Sequence, residues 1–397
     1  MAINAATEAD QGTIEGNSAL RGRDIICFSH DWTGDPLSKT HLMRLLSRNN
    51  RILWVNSIGY RTPSVTSKAD MSRAFKKLLS LTVPIREPEP NIFVLNPLAI
   101  PFYGRVGKSI NRQLLRLQVL RAMKKLGFKD AINWVFNPAA GVIARRLGES
   151  FLIYYCVDEF AAFSGVSSSA LAETERDLLR NADLVIVSAD RLFRSKSPEN
   201  PRTFLVRHGV DFDHFRRALE STTSIPDEIA QLPRPIIGYF GWITQDWIDL
   251  ELLVSLAERF SGGSLVMLGK ISMDVSRLRA FPNVHLLGRK TYESLPAYCK
   301  GFDVGIIPFP ISEVTLNANP LKAREYLAAG LPVVSTAIPE VEVLGLCLTA
   351  RDRPDFLRQT ERALLEPGPS RERSEMVRDQ SWDAKLAEVT EHIMRYI

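Results

Sequence analysis

The sequence predicts an α/β protein built from two Rossmann-like domains that face each other across a cleft. Three observations carry this expectation. Short apolar runs alternate with longer amphipathic stretches over most of the chain. Several of the runs are continuously apolar rather than alternating, the pattern of parallel strands buried on both faces. The alternation breaks once, in a polar stretch holding Pro226 and Pro233, and then resumes.

In the first series the predicted strands are 24–29, 51–56, 91–95, 131–136, 151–156, 183–187 and 203–206. Helices are expected between them at 36–47, 109–126, 169–180 and 191–196. The second series places strands at 236–240, 264–268, 284–287, 303–307 and 332–335. The resulting division is a disordered tail at 1–22, a first domain at 23–215, a linker at 216–233 and a second domain at 234–380. Ligands of two such sheets bind in the cleft at the carboxyl ends of the strands.

Composition permits this. A chain of 397 residues with 45% hydrophobic and 24% charged residues can fill two cores. No apolar run approaches the ~18–20 residues of a membrane span, and the first twenty residues lack the basic start and apolar run of a signal peptide. Cys27, Cys156, Cys299 and Cys347 show neither metal-ligand nor CxxC spacing, so reduced thiols and a cytoplasmic location are expected. There is no GxxxxGK[ST] or GxGxxG run, which argues against an ATPase or an ordinary dehydrogenase.

The sharpest motif is Asn319–Val334, NPLKAREYLAAGLPVV. Asn319 is a good N-cap, Pro320 suits the first helical position, Gly330 suits a left-handed C-cap and Pro332 lies just beyond. A helix of about three turns follows. Its first turn offers free N–H groups and a positive dipole end to a phosphate. Lys322 in that turn is disfavoured by the dipole unless an anion sits nearby. Glu325 falls on the same face, where its carboxylate would accept hydrogen bonds from ribose or sugar hydroxyls. A surface helix with an incidental Lys–Glu pair is the plainer alternative.

Three loops follow strand ends. Gly241 lies near the end of the IIGYFGW run, allows close approach of the backbone to a ligand, and precedes a helix expected to be capped near Asp246. Ser29-His30-Asp31-Trp32-Thr33-Gly34 follows the first strand, and His30 and Asp31 are read as acceptor-side or cleft-lining residues; Lys39 and His41 lie in the next helix. The alternative is a polar loop that only caps that helix. Asp158 and Glu159 close the apolar run 151–156, where partial desolvation would raise a carboxyl pKa toward that of a general base. A plain helix N-cap is the competing role for Asp158.

Basic residues cluster between Arg105 and Lys129: eight of them with no acidic residue, interleaved with Leu114, Leu117, Leu120 and Met123. Residues 71–81 add Arg73, Lys76 and Lys77 among apolar side chains. Basic amphipathic helices suit an anionic membrane surface, unless the leucines face the sheet. Aromatic residues are not interleaved with the basic run, so a nucleic-acid partner is not expected.

The run Glu325-Tyr326-Leu327-Ala328-Ala329-Gly330-Leu331-Pro332-Val333-Val334 resembles the donor-site helix and strand of the group 1 (family 4) glycosyltransferases, the two-Rossmann GT-B type. The NPLK form is similar to the branch that builds bacterial exopolysaccharides and teichuronic acid. The Ser-His-Asp loop resembles that of the xanthan-type glucuronosyltransferases. The resemblance implies a transferase that moves a sugar from a nucleotide-diphosphate donor to a saccharide or lipid-linked saccharide acceptor. It assigns Lys322 to the donor diphosphate and Asp158 to the general base, and it implies that a last helix at 381–397 crosses back to the first domain.

Two departures from the family accompany it. Asn317 replaces the family's first Glu, with Glu313 as the nearest acidic substitute, and Thr244, Gln245 and Asp246 stand where the family carries Arg and Lys. Asp211-Phe212-Asp213 spells a metal-binding Asp-x-Asp, but the family has Gly-Val-Asp there without a metal, so no metal and no cofactor are expected; the nucleotide sugar is a substrate. A sugar-nucleotide epimerase of the same fold, or an inactive scaffold that binds nucleotide sugar, are the alternatives.

Overall fold

A computed structural model describes residues 20–32, 36–57, 84–98, 105–164 and 168–397. The basic stretch 71–81 and the loop residues Thr33 and Gly34 lie outside the described residues. Two sheets organise the chain. The first has eight strands in the order β3-β4-β2-β1-β5-β6-β7-β8: β1 Asp24–Phe28, β2 Arg51–Val55, β3 Ile85–Glu89, β4 Ile92–Leu95, β5 Ile132–Val135, β6 Phe151–Cys156, β7 Leu184–Val187 and β8 Thr203–Leu205. The second has six in the order β11-β10-β9-β12-β13-β14: β9 Ile236–Phe240, β10 Ser264–Leu268, β11 Val284–Gly288, β12 Val304–Ile307, β13 Val333–Thr336 and β14 Leu348–Ala350. Every pairing is parallel except β3 with β4.

The apolar runs became central strands because both faces of each sheet are covered. All six side chains of β6 are buried, as are all five of β1, β9 and β10. The edge strands β3 and β14 escaped the sequence reading. IREPE in β3 is charged and contains Pro88, a composition tolerated only at an exposed edge, and β14 has three residues.

Eight of the helices among the described residues frame the two sheets. Helix α1 (Ser38–Ser47) follows β1, and α2 (Arg105–Leu126) precedes β5. Helix α3 (Ser168–Asn181) and helix α4 (Asp190–Lys196) flank β7. In the second domain α5 is Leu250–Arg259, α6 is Leu321–Ala328 and α7 is Pro339–Leu344. The last helix, α8 (Trp382–Met394), buries Trp382, Val389 and Ile393 in the first domain's core, and His392 stacks on Phe204 at 4.2 Å.

Several boundaries need correction. The tail does not run to residue 22: Leu20 is buried in the first core and its carbonyl accepts from Asn50 Nδ2 at 2.9 Å. The segment 216–233 is not an open linker. Phe212, Phe215, Ala218 and Ile229 all pack into the second core, so the second domain begins before residue 215. Met123 of α2 packs in the first domain's core, Leu120 packs against it, Leu114 is buried, and only Leu117 of those four is exposed. The apolar contribution of α2 therefore went mainly to the interior.

Candidate active site

The carboxyl ends of the two sheets meet at a cleft in which α6 touches both domains. Leu321, the first residue of α6, packs against the first domain's core. The cap differs from expectation. Pro320, extended at φ −64° and ψ 118°, takes the N-cap position, and Asn319 does not cap the helix. Asn319 is buried and bridges instead: its Nδ2 donates to the Ser188 carbonyl at the end of β7 (2.7 Å), and its Oδ1 accepts from Arg324 Nη1 (2.8 Å). A side chain engaged at both ends across the cleft cannot also reach its own helix's N–H groups. Gly330 ends the helix with φ +83°, a left-handed turn that glycine adopts without a Cβ penalty.

Lys322 lies in the first turn of α6, half-buried, with its ammonium 5.5 Å from the Tyr239 ring and 5.8 Å from the Phe309 ring. It makes no hydrogen bond or ion pair among the described residues. Burial pulls its pKa below the ordinary lysine value while the charge of Glu325 opposes that. Gly241 has φ +142°, and a Cβ there would lie 2.3 Å from Lys322 Cε and 2.6 Å from its Nζ. The glycine is therefore required by the lysine as well as by its backbone. Glu325, one turn on, is half-buried, and its charge acts on Lys322 and on the Tyr292 hydroxyl.

The remaining donor-side residue sits elsewhere. Glu313 is mostly exposed and pairs with Arg191 of α4 at 3.3 Å, while Asn317 Nδ2 donates to its backbone carbonyl at 2.7 Å. It thus lies on a bridge between the domains at the cleft rim. Helix α5 is capped by Asp249, which accepts from Leu252 N–H at 3.0 Å, and not by Asp246. Asp246 reaches across to accept from Ser164 Oγ at 2.7 Å.

On the first domain, Asp158 follows β6 and is half-buried; none of its carboxylate oxygens has a hydrogen-bond partner among the described residues. Burial pushes its pKa up to about 6, against the pull of the nearby Lys39 ammonium. The backbone beside it is braced: Lys196 Nζ donates to Glu159 at 2.9 Å and to buried Glu175 at 3.0 Å, and Tyr154 donates its hydroxyl to Glu175 at 2.5 Å. His30 rests edge-on against Trp54 at 5.3 Å, and its carbonyl accepts from Trp54 Nε1 at 2.9 Å. Burial, with Lys39 adding to it, drops the His30 pKa to about 3, so the ring is neutral. Asp31 is exposed and accepts from Ser57 Oγ at 3.2 Å.

Two groups gained importance only from the structure. Lys39 is 8% exposed, with its ammonium 5.4 Å from the Phe160 ring, and it forms no hydrogen bond or ion pair among the described residues. The sequence held a signal: positions 39, 42, 43 and 46 share one helix face, and Leu42, Met43 and Leu46 are buried, so Lys39 occupies the core stripe of α1. His208 is buried, with Nδ1 donating to the Asn319 carbonyl at 2.9 Å; Nε2 is sealed and unpartnered. Its pKa falls to about 3, chiefly through burial.

Asp211 and Asp213 do not converge: Asp211 caps a short helix and Asp213 is exposed beside Arg216. Among the described residues no group of three His, Cys, Asp or Glu side chains is arranged to hold a metal. A separate concavity of about 620 Å³ lies at the amino ends of β1 and β2, lined by Arg23, Arg51 and Lys129, far from the strand ends that carry these groups.

This architecture and site define a class. Residues 234–366 match the family described as glycosyl transferases group 1, and with its GT-B fold the chain is a glycosyltransferase. Among its relatives is the protein named "Putative teichuronic acid biosynthesis glycosyltransferase TuaH" of Bacillus subtilis (strain 168), 25% identical over 285 residues, which span 65% of this chain and 70% of that one. Solved structures with the same fold include sucrose-phosphate synthase of Thermosynechococcus elongatus (TM-score 0.68, 16% identity, 94% of this chain and 98% of that one). Another is Anabaena Alr3699/HepE in complex with UDP and glucose (TM-score 0.62, 13% identity, 93% of this chain and 99% of that one).

Proposed function

We propose that the chain transfers a sugar from a nucleotide-diphosphate donor to a hydroxyl of a saccharide or lipid-linked saccharide, in the assembly of a bacterial polysaccharide and without a metal. The observation that carries this reading is the Lys322 ammonium, without a hydrogen-bond or ion-pair partner among the described residues, at the N-terminus of α6 and backed by the bare Cα of Gly241. The helix end and the ammonium together supply positive potential for a departing diphosphate, the charge a metal would otherwise provide. Glu325 is the hydroxyl acceptor on the sugar or ribose side, Asn319 holds the helix against the first domain, and Glu313 bridges to Arg191 at the rim.

Asp158 acts as general base toward the acceptor hydroxyl. Its carboxylate has no protein partner among the described residues, and a pKa of about 6 matches proton abstraction near neutrality. His30 and Asp31 line the acceptor side. The relative from Bacillus subtilis, by its name, works in teichuronic acid biosynthesis, and the HepE structure holds UDP and glucose; both fit this reading.

The enzyme works at the inner face of the cell membrane, with α2 turned to anionic lipid. Arg121, Lys124 and Lys125 are exposed there, together with Ile110 and Leu117. The deciding experiment is release of nucleoside diphosphate from a panel of UDP-, GDP- and TDP-sugars with and without acceptor. Acceptor-dependent release supports transfer, acceptor-independent conversion of the donor supports an epimerase, and binding without either supports a scaffold.

A further inference from the structure

Lys39 presents a physical problem that the proposed reaction does not yet use. An ammonium this deeply buried is normally paired, because removing a charge from water is costly unless an opposite charge and hydrogen bonds replace the lost hydration. Lys39 has neither hydrogen bond nor ion pair among the described residues; Phe160 lies beneath it, and Asp158 is its acidic neighbour at longer range. The nearby imidazoles give it no relief. His30 has its Nδ1 within 3.1 Å of Ser29 Oγ, and His208 turns its Nδ1 to the Asn319 carbonyl.

The location is informative. His208, whose ring feels the charge of Lys39, is hydrogen-bonded to the residue that leads into α6, and Leu321 of α6 packs on the first domain. Lys39 therefore borders, from the first domain, the same helix end that carries Lys322 on the second. His208 Nε2 is sealed and unpartnered, whereas Lys39 keeps 8% exposure.

We propose that Lys39 is the first domain's ligand for a phosphate oxygen of the substrate, completing across the cleft the cationic site begun by Lys322. This rests on the donor-site reading of α6. The phosphate has two possible sources with the same chemistry: the diphosphate of the nucleotide sugar, or the phosphate of a lipid-linked acceptor. A carbohydrate hydroxyl alone would leave the charge uncompensated.

The test uses the full chain and its Lys39→Met, Lys39→Arg and Lys322→Ala variants. Binding of UDP, GDP and TDP is measured by calorimetry, and KM is measured for donor and for a lipid-phosphate acceptor. If the donor is the source, Lys39→Met weakens nucleoside diphosphate binding by about tenfold to hundredfold, the loss expected for a charged hydrogen bond, and Lys39→Arg recovers part of it. If the acceptor is the source, nucleoside diphosphate binding is unchanged and acceptor KM rises by a similar factor.

Lys39→Met should melt at or above the temperature of the unaltered chain, because it removes a buried charge that no described residue pairs. A lower melting temperature with unchanged ligand affinities would make Lys39 structural and overturn the proposal. So would wild-type nucleoside diphosphate binding and acceptor KM in Lys39→Met when Lys322→Ala has lost the nucleotide. If the unaltered chain binds no nucleoside diphosphate, or Lys322→Ala binds it undiminished, the donor-site reading itself has failed.

Discussion

Two regions of the same cleft treat charge in opposite ways. Around Glu340 the buried charge is matched. That carboxylate is 2% exposed, accepts from the Asp190 N–H at 2.7 Å and from Arg207 Nε at 2.7 Å, and so ties α7 of the second domain to the start of α4 and to the segment after β8 in the first. Around Asp158, Lys39 and Lys322 the charges are buried or half-buried and have no hydrogen-bond partner among the described residues. The difference separates scaffold from site. Matched buried polar groups hold the domains in register, whereas unmatched ones lower stability unless a ligand completes them.

That contrast can be broken by substitution. The largest effect is expected at Asp158→Asn, which should lower transfer by about 10²–10⁴-fold as the loss of a general base while sparing nucleoside diphosphate binding, read by single-turnover kinetics and calorimetry. The same residue sets a pH signature. Its folded pKa, about 6, lies above the unfolded value, so the folded state binds the extra proton between roughly pH 4 and 6. Stability therefore falls as pH rises through that window, by on the order of 1 kcal/mol, and the fall should vanish in Asp158→Asn. Activity should instead rise through pH 6, since the base must be ionised.

Glu340→Ala comes next, on stability rather than chemistry. Removing one partner of a buried pair leaves Arg207 and the Asp190 N–H unmatched, a loss of about 3 kcal/mol measurable by denaturant unfolding. A smaller effect, on donor use, is expected from Lys322→Ala, about 10²-fold in kcat/KM for the nucleotide sugar. Gly241→Ala should approach it, because the added methyl displaces the Lys322 ammonium. Equal kinetics in both variants and the unaltered chain would remove the phosphate assignment. The smallest effect belongs to Glu313→Gln: a rim ion pair with an exposed carboxylate contributes about 0.2–1 kcal/mol, so both stability and kcat/KM should stay near their starting values.

How much was legible in the sequence follows the same division. Central strands announce themselves, since burial on both faces demands unbroken apolar runs, and β6, β9 and β10 appear at the residues their composition indicates. The glycosyltransferase motif was legible because capping, glycine placement and strand composition coincide in one short run. Contacts between distant segments were not. Asn319 looks like an N-cap by local rules, yet the Ser188 carbonyl and Arg324 claim both ends of its amide. Asp246 likewise looks like a cap but is engaged by Ser164 across the cleft. Lys39 carried a readable signal, a charge on the apolar stripe of α1, whose meaning depended on knowing that no carboxylate among the described residues pairs with it.

The return of α8 has a consequence for biosynthesis. Trp382, Val389 and Ile393 complete the core of the first domain, and the backbone at Ser381 bridges to Val210. During translation the second domain's strands and helices can close on themselves once residues through about 377 have emerged, since Val377 is the last member of its core. The amino-terminal sheet, made first, must wait for residues synthesised after the second domain. Released chains truncated before residue 382 should therefore present a protease-resistant second domain beside an unfinished first one, reversing the usual order of vectorial folding.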